Sequence, residues 1–171
     1  AVAYGPWRCL YESRRDWRAG PPRQTRPEES EERMLRGYLS GTWYCPPNSY
    51  LFRRTAAAGA GPWDTALQRG QDSDYLIRAL LSGARFVYVP KAWAYYRRHG
   101  GDHIGAERHF AEGLESYVAA VLAHRKLLER DGRVAQYRPE LMSRLAGLSS
   151  DARLRRHEAG VRRCRAAAAT I

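Results

Sequence analysis

Apolar residues recur along the chain in two rhythms. Val2 and Tyr4 alternate with small residues, which predicts a short strand over residues 1–7 that stops at Gly5-Pro6. Residues 12–30 are rich in Pro, Arg and Glu, and Gly20-Pro21-Pro22 and Pro27 predict a loop or a mobile insert there, without a regular element. Ser30–Leu39 reads as a helix, with Leu35, Tyr38 and Leu39 on one side, acids in its first turn, and Gly41 as the stop. Thr42 to Pro47 forms an aromatic turn, and Asn48–Arg53 reads as a strand with a buried centre. A short helix over Thr55–Gly59 is broken by Gly61-Pro62. Leu76, Ile77, Leu80 and Leu81 give Asp72–Ser82 the stripe of a helix, with Asp72 as its N-cap and Gly83 just past its end. Ala84–Val89 and Ala92–Arg97 are strands. Glu107–Arg130 is the clearest helix, its period carried by Phe110, Leu114, Tyr117, Val118, Val121, Leu122 and Leu128. A short helix is predicted over 138–146, and a helical or frayed tail beyond Ser150.

The 171 residues are enough for one domain with a real core, and 44% apolar with 27% charged residues is an ordinary globular balance. No apolar run approaches the roughly 20 residues a membrane span needs. Cys9, Cys45 and Cys164 are far apart and form no Cys-x-x-Cys pair, so neither a disulfide framework nor a zinc site is expected, and a reducing cytoplasm fits best. The formal charge is +11. Only Lys91 and Lys126 are lysines, and every other basic residue is arginine. Residues 107–171 hold thirteen basic against eight acidic residues, a mild concentration rather than a patch. Such a charge suits polyanions in general.

Candidate chemistry gathers in one block. Gly61-Pro62-Trp63-Asp64 is followed by Gln71-Asp72-Ser73-Asp74 with Arg78, then by Gly83 to Pro90, then by Tyr96-Arg97-Arg98-His99. Two carboxylates in a helix's first turn face positive potential, which favours their ionised form. An ionised carboxylate there can cap the helix, bind a cation, or take a proton from a hydroxyl. Each member also has a plain structural role: Asp72 as a cap, Asp74 as a first-turn charge, Trp63 as a core edge, His99 as a surface residue. A His beside two Arg suits a phosphate or a metal.

Taken in order, the block resembles the acceptor-side half of the catalytic domain of family-2 glycosyltransferases, the inverting family with the GT-A fold. Cys45-Pro46-Pro47-Asn48-Ser49-Tyr50-Leu51-Phe52-Arg53-Arg54 also looks like the strand that precedes that family's acceptor site. The resemblance covers about residues 1–105. It implies an α/β fold: a partial GT-A-like mixed sheet flanked by helices, residues 1–105, followed by a C-terminal helical extension, residues 106–171.

It further implies transfer of a sugar from a nucleotide-sugar donor to an acceptor hydroxyl with inversion, in cell-wall or polysaccharide biosynthesis, with Asp72 as general base. Gln71 stands where the family usually has Glu. Trp63, Asp64, Gln71, Asp74, Arg97 and Arg98 would line the substrates, and His99 would meet a metal or the diphosphate. A divalent cation, Mg²⁺ or Mn²⁺, is expected by the same resemblance, although the family's main Asp-x-Asp metal motif is absent. That motif belongs to a nucleotide-binding half that would precede Ala1, so the chain is expected to be a piece of a longer enzyme. Expected partners are the donor and a saccharide, lipid-linked or protein acceptor. The arginines at 153, 155, 156, 162, 163 and 165 suggest peripheral contact with the inner membrane face. The alternative is a basic module that binds nucleic acid or an anionic surface without catalysis. No RNP-like, zinc-finger or helix-turn-helix signature supports the nucleic-acid form of it.

Overall fold

A computed structural model describes residues 1–12, 16–28, 30–98 and 109–171. The chain is a mixed α/β protein whose two small mixed sheets are flanked by helices. Strands β1 (Val2–Tyr4), β4 (Tyr50–Phe52) and β5 (Phe86–Tyr88) form the first sheet, in the order β4-β1-β5. Strand β1 runs antiparallel to β4 and parallel to β5, so that Ala3 pairs with both Leu51 and Val87. Strands β2 (Trp7–Glu12), β3 (Trp17–Ala19) and β6 (Ala94–Arg98) form the second sheet, in the order β3-β2-β6. The hairpin β2–β3 is antiparallel, and β2 and β6 run parallel.

The region expected to be a loop, 12–30, therefore contains a strand and a further bridge from Arg23 to Trp7. Its prolines do not prevent this. Trp17 to Ala19 lie on a sheet edge, where only β2 needs backbone partners.

Side-chain alternation sets the first core. Val2 and Tyr4 are buried, and Tyr4 is the hub of an aromatic cluster with Trp43, Tyr50, Phe86 and Tyr88 at centroid distances of 5.4–6.4 Å. The backbone N–H of Glu28 donates to the Tyr4 hydroxyl at 2.9 Å, which satisfies that buried polar tip. Ala3, Leu51 and Val87, in register, fall on the opposite face, where Leu51 and Val87 are exposed.

Among the described residues the α-helices are α1 (Glu31–Ser40), α2 (Arg54–Ala60), α3 (Gln71–Leu81), α4 (Phe110–Arg130), α5 (Val134–Leu154) and α6 (Glu158–Ala168). Helix α1 forms as expected. The Ser30 hydroxyl accepts the Arg33 N–H at 3.1 Å, and Gly41 stops the helix at φ 75°. Among the described residues no helix is long and apolar enough to cross a membrane.

Helix α5 is longer than the expected 138–146, and it runs straight through Pro139. A proline inside a helix costs about 3 kcal/mol. Against this, Tyr137, Leu141, Leu145, Leu148 and Ala152 follow the helical period and are buried. Each large apolar side chain among them contributes about 1.5–3 kcal/mol on burial, so packing wins. Helix α6 is likewise a packed element, with Gly160, Cys164 and Ala167 buried. Helices α4 to α6 share one hydrophobic core with α1, α3 and the first sheet.

Candidate functional site

Helix α3 begins one residue earlier than expected. Gly70, not Asp72, is its N-cap, with φ 80°. The reason is tertiary. A Cβ at Gly70 would lie 2.8 Å from the Tyr117 ring of α4, so the turn needs glycine for both its backbone and its space. The residue before it is clamped too. The Arg69 N–H donates to Ser116 Oγ at 2.9 Å, and that hydroxyl donates back to the Arg69 carbonyl at 2.7 Å.

Released from capping, Asp72 sits in the first helical turn at the wall of a cavity of about 410 Å³. Trp43, Tyr44, Tyr96 and Tyr117 supply aromatic walls, and Arg69 and Arg144 supply cations. Burial pushes the Asp72 carboxyl above its ordinary value. Burial also raises the Tyr44 hydroxyl, helped by the nearby Tyr96, Asp72 and Tyr117, so Tyr44 is a proton-bearing hydroxyl at neutral pH. The Arg144 guanidinium stacks 4.7 Å from the Tyr117 ring centroid and lies over Gly41, where a Cβ would collide with it.

Asp74 has a different fate. It is only 4% exposed. His124 Nε2 donates to Asp74 Oδ1 at 3.0 Å, and Arg78 Nε donates to Oδ2 at 2.9 Å. Arg78 also donates to the carbonyl of Ala60 at the end of α2. Burial alone would raise the Asp74 carboxyl, but the hydrogen bonds and charges of His124 and Arg78 outweigh it and hold the carboxyl below its ordinary value. Asp74 thus ties α2, α3 and α4 together.

The remaining expected site residues separate into groups. Gln71 lines the Asp72 cavity. The Trp63 ring stacks on Tyr75, 4.4 Å between centroids and 7° from parallel, and is not part of that cavity's lining. Asp64 accepts the Ala66 N–H at 2.9 Å and shapes its own turn. Alternation along β6 divides the arginines. Arg98 shares a face with the cavity residue Tyr96 and lies over its ring at 5.5 Å, whereas Arg97 lies over Trp17 on the other face. His99 lies outside the described residues. The structure adds Trp43, Tyr44, Tyr117 and Arg144 to the cavity and His124 behind it, none of them among the expected site residues. Only His124 carries a sequence signal, because a histidine three after Val121 and four before Leu128 falls on the apolar stripe of α4.

The described residues contain no cluster of three or more metal-ligating side chains. Asp74 is committed to His124 and Arg78. Among the described residues the expected cation therefore has no such donor set. No family model, curated protein or solved structure matches the chain.

The turn at Gly70 gives a direct test of how the site is positioned. Gly70→Ala should cost about 1–2 kcal/mol for the left-handed backbone, plus the displacement of Tyr117. Gly83 is the internal control, with φ 78° and open space around its would-be Cβ. Urea unfolding should show a larger loss for Gly70→Ala than for Gly83→Ala, and equal losses would remove Tyr117 from the positioning of α3.

Proposed function

We propose that the chain is the acceptor-side part of an inverting glycosyltransferase of GT-A type, with Asp72 as its general base. The observation that carries the reading is the division of labour between two neighbouring carboxylates. Asp74 is buried and locked by His124 and Arg78, while Asp72 faces an aromatic-walled cavity and, among the described residues, no side chain holds it. In the reaction, Asp72 takes the proton of an acceptor hydroxyl as its oxygen attacks the anomeric carbon of the donor. The bond from that carbon to the nucleoside diphosphate breaks on the opposite face, and configuration inverts. Aromatic walls suit the apolar faces of sugar rings, and the cationic groups of Arg69, Arg144 and Arg98 suit an anionic leaving group or acceptor.

The test is an assay on the full-length protein with UDP-glucose, UDP-galactose, GDP-mannose and dTDP-rhamnose. It follows nucleoside diphosphate release with pooled saccharide acceptors, and the anomeric configuration of any product by NMR. Because Asp72 must be ionised to act, kcat/KM should rise with pH through an acid-side midpoint above the ordinary 3.8. Transfer with retained configuration, or transfer without that acid limb, would remove the reading.

A further inference from the structure

The corner between α5 and α6 carries a second site. Of the six arginines in this stretch, two are engaged elsewhere. Arg155 lies over the Phe110 ring at 4.6 Å, and Arg163 pairs with Glu115 at 2.9 Å. The other four, Arg153, Arg156, Arg162 and Arg165, all line one cavity of about 470 Å³, together with His157. The cavity's one carboxylate, Glu158, reaches Arg162 at 3.6 Å across an exposed surface, where such pairs contribute little. Among the described residues no side-chain hydrogen bond or ion pair holds Arg153, Arg156 or Arg165.

The frame beneath these arginines is fixed. Helix α5 ends in a turn in which Arg156 adopts φ 54°, and the His157 N–H donates to the carbonyl of Ala152 at 2.8 Å. His157 Nδ1 accepts the Gly160 N–H at 3.0 Å. Gly160 is pressed so closely on α4 that a Cβ would lie 2.2 Å from Leu114. Cys164 and Ala167 turn the apolar side of α6 into the core, so this helix has no apolar face to insert into a bilayer. What it offers a partner is charge at fixed spacing.

We infer that the α5–α6 corner binds a diphosphate group, clasped by Arg153, Arg156, Arg162 and Arg165. Guanidinium forks match phosphate oxygens two at a time, and four of them with a single opposing carboxylate call for more than one phosphate. The group can come from a soluble pyrophosphate ester or from the headgroup of a lipid carrier. The inference does not depend on Asp72 or on sugar transfer.

Calorimetric titration of the full-length protein with sodium pyrophosphate at low salt tests it. Saturable one-to-one binding is expected. R156Q/R162Q should weaken it about tenfold to a hundredfold, and R155Q/R163Q, which removes the same charge outside the cavity, should leave it near the parent value. No binding by the parent, or equal weakening in both variants, would overturn the inference, the second result showing only diffuse attraction. Circular dichroism confirms that each variant is folded. Co-sedimentation with phosphatidylcholine vesicles, with and without phosphatidic acid, identifies the source. Capture by the acidic vesicles that pyrophosphate competes away points to a lipid headgroup, and pyrophosphate binding without capture points to a soluble diphosphate. Vesicle capture equal in both variants counts against the cavity.

Discussion

Asp74→Ala should destabilise the folded chain by about 3–5 kcal/mol, the cost of removing one partner from a buried ionic network. Among the described residues the carboxylate is the one partner of His124 Nε2; it also accepts from Arg78 Nε and is ion-paired with Arg78 Nη2 at 2.9 Å. Its loss leaves a buried ring nitrogen and a mostly buried guanidinium without their partner, at the point where α2, α3 and α4 meet. For a chain of this size that corresponds to a fall in Tm of roughly 6–20 °C. The pH dependence has a definite sign. The folded-state carboxyl is held below its ordinary 3.8, so its contribution is fully present above that value and is lost as pH falls through the lower, folded value. The gap between parent and variant should therefore be constant through neutral and mildly acidic pH and close only in strong acid. Asp74→Asn keeps the volume, so a comparable loss there assigns the effect to charge. Urea unfolding across pH measures both, and a loss under about 1 kcal/mol would show that the network is not what joins the three helices.

Asp72→Asn, two residues away, should do the opposite. Transfer should fall by about 10²–10⁴, the usual worth of a positioned base. That is about 3–5 kcal/mol of barrier. Stability should be unchanged or slightly higher. Burial raises this carboxyl in the folded state, so at pH above that value folding holds an ionised group where ionisation is disfavoured, and a neutral amide removes the cost. The decisive pattern is the pair of variants measured together: one carboxylate needed for folding, its neighbour needed for chemistry. If Asp72→Asn retains transfer, the base lies elsewhere. If it unfolds the protein, Asp72 has a structural duty that its surroundings do not reveal.

Much of the secondary structure was legible because it rests on local chemistry. Ser30 and Gly41 bracket α1 as their side chains require, and the apolar stripes of α3 and α4 mark their buried faces. Strands β4 and β5 fall inside the expected segments, and β6 runs one residue past its expected end, to Arg98. The errors share a cause. The edge strand β3 and the full length of α5 depend on partners distant in the chain, which outweigh the local signals of Pro22 and Pro139. Asp72 read as a cap because it is the first good capping residue before the stripe. Gly70 takes that place instead, packed against the ring of Tyr117, 47 residues further on.

The candidate site divides in the same way. By itself the sequence determined that two carboxylates open an amphipathic helix after a glycine-bearing loop, and that aromatic and basic residues follow on a strand. Spacing on one helix is enough for that, since each residue's angle about the axis is fixed by its number. It did not determine which carboxylate is available. Only the tertiary structure decided this, by bringing His124 and Ser116 of α4 against the mouth of α3 and Arg144 of α5 beside it. A carboxylate's chemistry is set by what surrounds it in space, and here those surroundings include residues of α4 and α5 that stand 44 to 72 positions further along the chain.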